Sequence, residues 1–276
     1  MKSLTNKGIN IDNNQSIKQI IQYWDESGLC SPDSSTSHKN QYIASLDNFV
    51  ESKLLSDILA KYCSKTANNH KTGLDIGAGL GRFTIILAQY LHMVYALEPA
   101  VSLYDTLQER CQKISNIKVI NTSFESYIPS EEIDITIVSG ILYLYSDELV
   151  DHFFNKLSPM VKYGGIIILR DFIVQEKRKT IPSSFIKNGY CYYRNYQYWK
   201  DIASKHDLKC VEVFRSTPLY SVLFNIIIRI PGINKIISSS FVKDRYYNII
   251  NKERQKGNKS LSDESVTTVF ITIKKV

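Results

Sequence analysis

The fold of this chain is decided by ten residues, Gly73-Leu74-Asp75-Ile76-Gly77-Ala78-Gly79-Leu80-Gly81-Arg82. A short apolar run breaks into three glycines and continues as a helical pattern over 83–91, which predicts a strand, a tight loop and a helix. Glycines in such a loop leave backbone N–H groups bare toward a ligand. The spacing is G-x-G-x-G, and Arg82 stands where the dinucleotide fingerprint G-x-G-x-x-G needs its third glycine. Asp75 would repel a pyrophosphate and suits a ligand that carries an ammonium group.

A second acid follows the next predicted strand, at 92–97. This strand ends in Glu98-Pro99, 23 residues after Asp75. An acid at this tip is placed to accept hydrogen bonds from the two hydroxyls of a ribose. The two acids therefore indicate a ligand with a positively charged amino-acid end and a nucleoside end, and S-adenosylmethionine has both. The alternative is a glycine-rich turn that holds no ligand.

With Asp75, the glycine loop, Arg82 and Glu98, the chain resembles the class I S-adenosylmethionine-dependent methyltransferases over residues 70–215 and the last dozen residues. This resemblance implies an α/β, Rossmann-like sheet of seven strands, mostly parallel with the last strand antiparallel, and helices on both faces. It also implies a domain organisation in four parts. We expect an N-terminal helical lid at 1–70, the cofactor-binding core at 71–216, an inserted segment at 217–264 and the last core strand at 265–276.

The apolar patterns place the elements of this core. We predict strands at 73–76, 92–97, 117–121, 133–138, 166–169, 210–214 and 266–273, the last two paired as the family pairs them. We predict helices at 17–24, 46–63, 83–91, 102–114, 147–157, 195–206 and 241–256.

The resemblance assigns cofactor contacts to residues that follow the strands. The backbone of Gly77, Ala78, Gly79 and Gly81 is expected to face the methionine carboxylate. Arg82 either contacts that carboxylate or is a solvated residue of the first helical turn, and Asp75 holds either the ammonium group or the amides of the loop. Further contacts are expected from the residues after strands two, three and four: Glu98, Pro99, Ser123, Phe124, Ser139 and Gly140. Ser123 stands where many members have an acid for the adenine amino group, and Phe124 either stacks on the adenine or belongs to the core.

Two residues are candidates for catalysis. Asp171 follows strand five and is expected to act as general base toward a substrate hydroxyl or amine, or else to form a local cap or salt bridge. Tyr143 is expected to point into the substrate cavity. Asp171 and a cluster of tyrosines at 190–198 favour oxygen as the methyl acceptor, in a small molecule or a glycan- or lipid-linked compound.

Two other functions stay open. The run from Asp75 to Thr84 and the segment Leu169-Arg170-Asp171-Phe172 are similar to the protein N-terminal α-amine methyltransferases. However, Ile141 occupies the place of that family's histidine, and the segment 217–264 is foreign to it. The remaining alternative is a non-catalytic protein that keeps the cofactor fold as a scaffold.

Charge separates the inserted segment from the rest of the chain. Residues 215–260 contain nine basic and two acidic residues, 9 − 2 = +7, and the whole chain has 34 − 27 = +7. An apolar run at 219–230 precedes the basic helix and is too short to span a bilayer. We expect a substrate cap, a dimer contact or a peripheral contact with the anionic inner membrane face. Nucleic acid is not expected as a partner, because no recognition motif accompanies the charge.

Composition bounds the remaining properties. The 276 residues are 43% hydrophobic and 22% charged, and the polar N-terminus lacks the apolar run of a secretory signal. Five scattered cysteines without C-x-x-C spacing predict free thiols and no metal site. We therefore expect a cytoplasmic protein without a metal cofactor.

Overall fold

The computed structural model describes residues 11–27, 41–63, 70–184, 186–216, 236, 239–255 and 266–276. The predicted polar loop at 31–40 lies outside these residues. So does most of the inserted segment at 217–264, of which only Ile236 and 239–255 are described.

A seven-stranded sheet forms the centre of the protein, and the predicted fold class is confirmed. Its strands are β1 (Thr72–Ile76), β2 (Met93–Leu97), β3 (Ile117–Ile120), β4 (Ile133–Ser139), β5 (Val161–Ile173), β8 (Leu208–Arg215) and β9 (Thr267–Lys275). The order across the sheet is β3-β2-β1-β4-β5-β9-β8. Strand order reverses between β1 and β4, and the carboxyl ends of these neighbours leave a crevice for a ligand.

The last strand closes the sheet in the predicted way. β9 lies antiparallel to both β5 and β8, while β1 to β5 pair in parallel. The predicted pairing of the last two strands is therefore confirmed, although about 50 residues separate them.

Seven described helices accompany the sheet: α1 (Ile11–Asp25), α2 (Gln41–Tyr62), α3 (Thr84–Ala88), α4 (Val101–Cys111), α5 (Asp147–Met160), α6 (Tyr196–Lys205) and α7 (Ser240–Gln255). Side chains cap two of them. The Asn195 side chain accepts a hydrogen bond from the N–H of Tyr198 at 3.0 Å at the start of α6, and Ser146 caps α5. None of the described helices combines the length and the apolar character needed to cross a membrane.

The two faces of the sheet bury different helices. Ile167 and Leu169 of β5 pack with Phe154 of α5 and Trp199 of α6. On the other face, Ile166 and Ile168 of β5 pack with side chains of two helices. These are Leu54 and Leu55 of α2 and Tyr247 of α7. This alternation follows from the two-residue period of a strand. Because one set of β5 side chains packs against α2, this helix is part of the core.

Three features differ from the sequence predictions. A two-stranded hairpin of β6 (Lys179–Pro182) and β7 (Tyr190–Tyr193) was not predicted. β5 is much longer than the predicted 166–169, and α3 is shorter than the predicted 83–91. The longer β5 changes the place of Asp171, which lies inside the strand rather than after it.

Candidate functional site

A cavity of about 670 Å³ opens at the carboxyl ends of β1, β2, β4 and β5. Its volume lies within the range that small-molecule and cofactor sites occupy. Apolar side chains of α1 close one side of it: Ile17, Ile20, Ile21, Tyr23 and Trp24.

The end of α1 is fastened to the start of α4. The N–H of Ser102 donates to Asp25 Oδ1 at 2.8 Å, and the Ser102 hydroxyl donates to the Asp25 carbonyl at 2.7 Å. Trp24 packs against a small cluster that includes Leu80 and Leu103. These contacts hold α1 over the glycine loop.

The glycine loop presents its first half to the cavity. Gly77 and Gly79 have φ values of +68° and +55°, and both line the cavity together with Ala78. A Cβ atom at Gly79 would meet nothing within 4 Å, so this backbone is open to a ligand. Gly81 differs from the expectation. It does not line the cavity, and a Cβ atom there would lie 2.6 Å from Leu107 Cδ1, so this glycine serves the close packing of α4.

Glu98 lies at the tip of β2 and lines the cavity. The N–H of Gly79 donates to its Oε2 at 2.8 Å, and the N–H of Ala100 donates to its Oε1 at 2.9 Å. Burial raises the pKa of Glu98 to about 7, although both hydrogen bonds act in the opposite direction. The carboxyl group therefore changes charge close to neutral pH at the cavity wall, beside Pro99.

Asp75 lies at the end of β1 and also lines the cavity. The Thr84 hydroxyl donates to its Oδ2 at 2.6 Å, and burial raises its pKa to about 6. Sequence analysis left open whether Asp75 holds the loop amides. In the structure Glu98 accepts from the amide of Gly79, and Asp75 accepts from Thr84.

Arg82 belongs to a buried ion cluster that sequence analysis did not find. Arg82 Nη1 donates to Glu51 Oε2 at 2.6 Å, and Arg170 donates to Glu51 Oε1 through Nε and Nη2 at 3.0 and 2.9 Å. The Ser216 hydroxyl donates to the same Oε1 at 3.1 Å. Arg82 is thus neither solvated nor aimed only at a ligand, although both arginines line the cavity.

Glu51 is the centre of this cluster. It is 2% exposed. Burial alone would raise its pKa, but the charges of Arg170 and Arg82 outweigh burial and lower the pKa to about 2. One buried carboxylate thus faces two guanidinium groups that reach the cavity wall. The sequence signal was weak: Asp47 and Glu51 lie one turn apart on the otherwise apolar face of α2.

The residues after β3 and β4 form the far walls. Ser123, Phe124, Ser139 and Gly140 all line the cavity. Phe124 is 4% exposed, and its ring centroid lies 4.5 Å from that of Phe153, so most of this ring belongs to the core. The position agrees with the alternative that Phe124 belongs to the core, and its stacking on adenine stays a prediction.

Aromatic rings form the wall beside the ends of β4 and β5. Tyr143 and Phe172 line the cavity, with centroids 5.0 Å apart and planes at 80°. Tyr193 of the hairpin lies behind them, stacked on Tyr143 at 6.4 Å. Burial raises the pKa of the Tyr143 hydroxyl well above its ordinary value, so this group stays neutral.

Asp171 is close to this wall but does not line the cavity. It alternates along β5 with Arg170 and Phe172, which do. The N–H of Phe172 donates to its Oδ1 at 2.8 Å, while its Oδ2 is buried without a hydrogen-bond partner among the described residues. Burial raises its pKa to about 7, and the expected direct access to an acceptor is not observed.

The tyrosine cluster also lies elsewhere. The described residues Tyr190, Tyr192, Tyr193, Tyr196 and Tyr198 are not among those that line the cavity. Arg194 is enclosed among several of these rings and is 1% exposed. It donates to the carbonyls of Leu142 and Tyr145, so the cluster supports the segment after β4.

The lining of the cavity fits S-adenosylmethionine. Two buried acids at neighbouring strand tips match its ammonium and ribose, and the open backbone at Gly79 admits a ligand at close approach. Two arginines offer positive charge for a carboxylate. The donors and acceptors of the site thus correspond to the ends of this cofactor.

Comparison with known proteins identifies the family. Residues 12–228 match the sequence model of the family described as AdoMet dependent proline di-methyltransferase. The chain belongs to this family. It is therefore an enzyme that uses S-adenosylmethionine as its methyl donor, and the alternative of a non-catalytic scaffold is set aside.

The chain also has shorter similarities to other methyltransferases. It is 30% identical over 121 residues to phosphoethanolamine N-methyltransferase 3 of Arabidopsis thaliana, and the aligned residues are 41% of this chain and 25% of that protein. It is 30% identical over 122 residues to an rRNA adenine N-6-methyltransferase of Bacillus licheniformis, covering 43% and 39%. The matched part thus spans between a quarter and two fifths of these relatives.

Solved structures agree in fold. The Burkholderia thailandensis 1,6-didemethyltoxoflavin-N1-methyltransferase, bound to 1,6-didemethyltoxoflavin and S-adenosylhomocysteine, superposes with a TM-score of 0.61 at 9% identity, over 98% of this chain and 93% of that one. An O-methyltransferase of Brevibacillus brevis superposes with a TM-score of 0.54 at 16% identity, over 83% and 74%. At these identities the likeness concerns the fold alone.

Proposed function

We propose that this enzyme methylates an aliphatic amine, with the secondary amine of proline, in a peptide or a small molecule, as the preferred acceptor. The observation that carries the proposal is the aromatic wall of Tyr143 and Phe172 beside the ends of β4 and β5, where the acceptor would lie. Methylation of an amine leaves a cationic nitrogen, and two methyl groups on a secondary amine leave a permanent cation. Aromatic faces stabilise such cations, most strongly where water is excluded.

Asp171 adds to this preference. Its carboxyl group lies beside Phe172 on β5, and because burial raises its pKa to about 7 it is ionised in about half of the molecules at pH 7 and in more of them above that pH. A fixed negative charge near a nitrogen that becomes cationic lowers the energy of the transition state.

A hydroxyl acceptor is the weaker candidate. It gives a neutral product and needs a base that takes its proton during the transfer. That expectation required Asp171 to face the acceptor. Among the described residues that line the cavity, the carboxylates are Asp75, Glu98 and Glu125. Asp75 and Glu98 accept hydrogen bonds from Thr84 and the loop, and Glu125 accepts one from the Tyr145 hydroxyl at 3.1 Å.

The chain's own residues would then divide the work. S-adenosylmethionine supplies, when bound, a methyl group on a sulfonium, and S-adenosylhomocysteine is the leaving group when a neutral amine nitrogen attacks the methyl carbon in line. The proton on the nitrogen is lost to water before each transfer. Glu98 would bind the ribose hydroxyls, while Asp75 would offer negative charge to the ammonium group. Tyr143 and Phe172 would hold the acceptor nitrogen and exclude water, so alignment supplies most of the rate enhancement.

Two peptides test the proposal. A peptide with a free N-terminal proline and its N-acetylated twin are incubated with enzyme and S-adenosylmethionine, and methyl groups are counted by mass spectrometry. We expect one and then two methyl groups on the free peptide and none on the acetylated one. Free proline, phosphoethanolamine and a phenol serve as small acceptors. Methylation of the phenol together with inert amines would overturn the proposal.

A variant pair separates the acceptor site from the cofactor site. Phe172→Leu keeps an apolar side chain but removes the ring, whose centroid also lies 5.2 Å from the Arg170 guanidinium. We therefore expect the rate with the amine to fall by a larger factor than the affinity for S-adenosylhomocysteine. The matched control is Phe241→Leu, at an exposed position of α7. An equal rate for Phe172→Leu and wild type would contradict the role of the aromatic wall.

A further inference from the structure

Helix α7 has one face packed on the protein and one face turned outward. Its packed face places three side chains in the core beside α2, namely Tyr246, Tyr247 and Ile250. Lys53 Nζ donates to Asp244 Oδ1 at 2.8 Å, and Arg254 Nε donates to Glu212 Oε1 at 2.9 Å. These contacts with α2 and β8 fix which face of α7 is exposed.

The outward face carries large apolar and basic side chains in alternation. We call Phe241, Arg245, Ile249 and Lys252 the α7 stripe, because their spacing of four, four and three residues puts them on one side of the helix. Phe241 is 70% exposed and Ile249 is 40% exposed. Arg245 and Lys252 are exposed, and the described part of the chain offers neither of them an ion-pair partner. Such a pairing of apolar and basic side chains is typical of surfaces that bind anionic membranes.

The charge distribution supports this reading. The segment 215–260 carries 9 − 2 = +7, and the rest of the chain has 34 − 9 = 25 basic and 27 − 2 = 25 acidic residues. The net positive charge of the enzyme is therefore confined to the segment that contains the α7 stripe. The negative surface potential of a membrane attracts such a segment and would orient the enzyme with α7 toward the lipid.

We propose that the α7 stripe docks the enzyme on the surface of an anionic lipid bilayer. Arg245 and Lys252 lie at the headgroup phosphates, and Phe241 and Ile249 enter the boundary with the acyl chains. A nucleic acid would use the cations and leave the two apolar side chains without a role. A twofold contact between copies through the stripe would bring two cations from each copy into one interface to which the stripe contributes no acid. This inference does not depend on which acceptor the enzyme methylates.

Vesicle co-sedimentation of the full chain tests the proposal. The vesicles contain either phosphatidylcholine alone or phosphatidylcholine with phosphatidylglycerol, at low and at high salt. We expect binding to the anionic vesicles that weakens with salt, and weak binding to the neutral ones. Arg245→Gln with Lys252→Gln should weaken partitioning about thirtyfold, and Phe241→Ser should weaken it at both salt concentrations.

A matched control removes the same charge elsewhere. Arg110→Gln with Lys113→Gln changes two exposed basic residues, one in the last turn of α4 and one in the turn that follows the helix. This double variant should keep vesicle binding within about twofold of wild type. Binding of S-adenosylhomocysteine shows that each variant is folded. The proposal is overturned if anionic vesicles are not bound, if neutral vesicles are bound equally, or if the stripe and control variants lose equal amounts. It is also overturned if duplex DNA at the same phosphate concentration is bound as tightly and displaces the vesicles.

Discussion

Replacing Glu51 with glutamine tests the buried ion cluster below the cofactor loop. Glu51→Gln keeps the shape of the side chain and removes its charge. Arg82 and Arg170 would then lose the carboxylate that binds both of them, in a site that is almost closed to water, and Asp47 would be the remaining negative charge that acts on both. The amide would keep one oxygen as an acceptor and turn an N–H₂ group toward the other guanidinium, where two donors meet.

The size of the effect follows from the pKa of Glu51. The cluster lowers it from 4.5 to about 2, and 4.5 − 2 = 2.5 corresponds to about 3 kcal/mol of stabilisation of the charged form. Breaking a buried ion pair by removing one partner costs about 3–5 kcal/mol, which agrees. Because the folded-state pKa is the lower one, this stability is fully present above pH 4.5 and is lost as the pH falls toward about 2. We expect the melting temperature at neutral pH to fall by about 10 °C.

Chemical and thermal unfolding at several pH values measure this difference. The matched control is Asp244→Asn, which makes the same carboxylate-to-amide change in an exposed ion pair. The side chains of this pair, Lys53 and Asp244, are 44% and 50% exposed. The control should cost less than about 1 kcal/mol. The reasoning is refuted if Glu51→Gln costs no more than the control, or if its cost stays constant as the pH falls from 4.5.

Three further predictions concern the cavity. Gly79 and Gly81 both have positive φ, so alanine strains the backbone at either position. Gly79→Ala also places a methyl group in space open to a ligand and should weaken binding of S-adenosylhomocysteine more than Gly81→Ala does, whereas the new methyl group of Gly81→Ala meets Leu107 Cδ1 at 2.6 Å and should lower the melting temperature more. Calorimetric titration and thermal unfolding measure both effects, and the reverse pattern would contradict the assignment. Burial raises the pKa of Glu98 to about 7, and hydrogen bonds from ribose hydroxyls favour its ionised form, so the affinity for S-adenosylhomocysteine should rise with pH through about 7 and be lost below it. Titrations across this range should show that Glu98→Gln loses the rise at about pH 7 and keeps the rise that Asp75 produces at about pH 6, and an unchanged pH dependence in that variant would count against Glu98. Asp171→Asn should lower kcat for a proline amine about tenfold and remove the rise in kcat through about pH 7, with cofactor binding unchanged; a pH–rate profile equal to that of wild type would exclude Asp171.

Local sequence pattern was enough to place the sheet. β4 is a short run rich in isoleucine and β1 is buried at all five residues, because parallel strands are covered on both faces. The glycines after β1 and the acid after β2 marked the crevice, because turn chemistry and strand ends are local properties. The hairpin of β6 and β7 escaped prediction because its strands are four residues long and β6 is exposed throughout and ends in Pro182.

Features that depend on contacts far apart in the chain could not be predicted. Glu51 and Arg170 are 119 positions apart, and no local pattern joins them. Gly81 resembles the other loop glycines in sequence, and only the packing of Leu107 shows its different role. Asp171 was predicted to follow a strand. Because β5 continues to Ile173, the two-residue period turns Asp171 away from the cavity that Arg170 and Phe172 line.

A crystal structure with bound S-adenosylhomocysteine tests the central claim most directly. The distances to measure run from the Glu98 carboxylate oxygens to the two ribose hydroxyls. The account predicts hydrogen bonds to both hydroxyls, with the amino-acid end of the ligand over Gly79 and beside Asp75. A nucleoside bound elsewhere, with Glu98 still accepting only from the amides of Gly79 and Ala100, would contradict it.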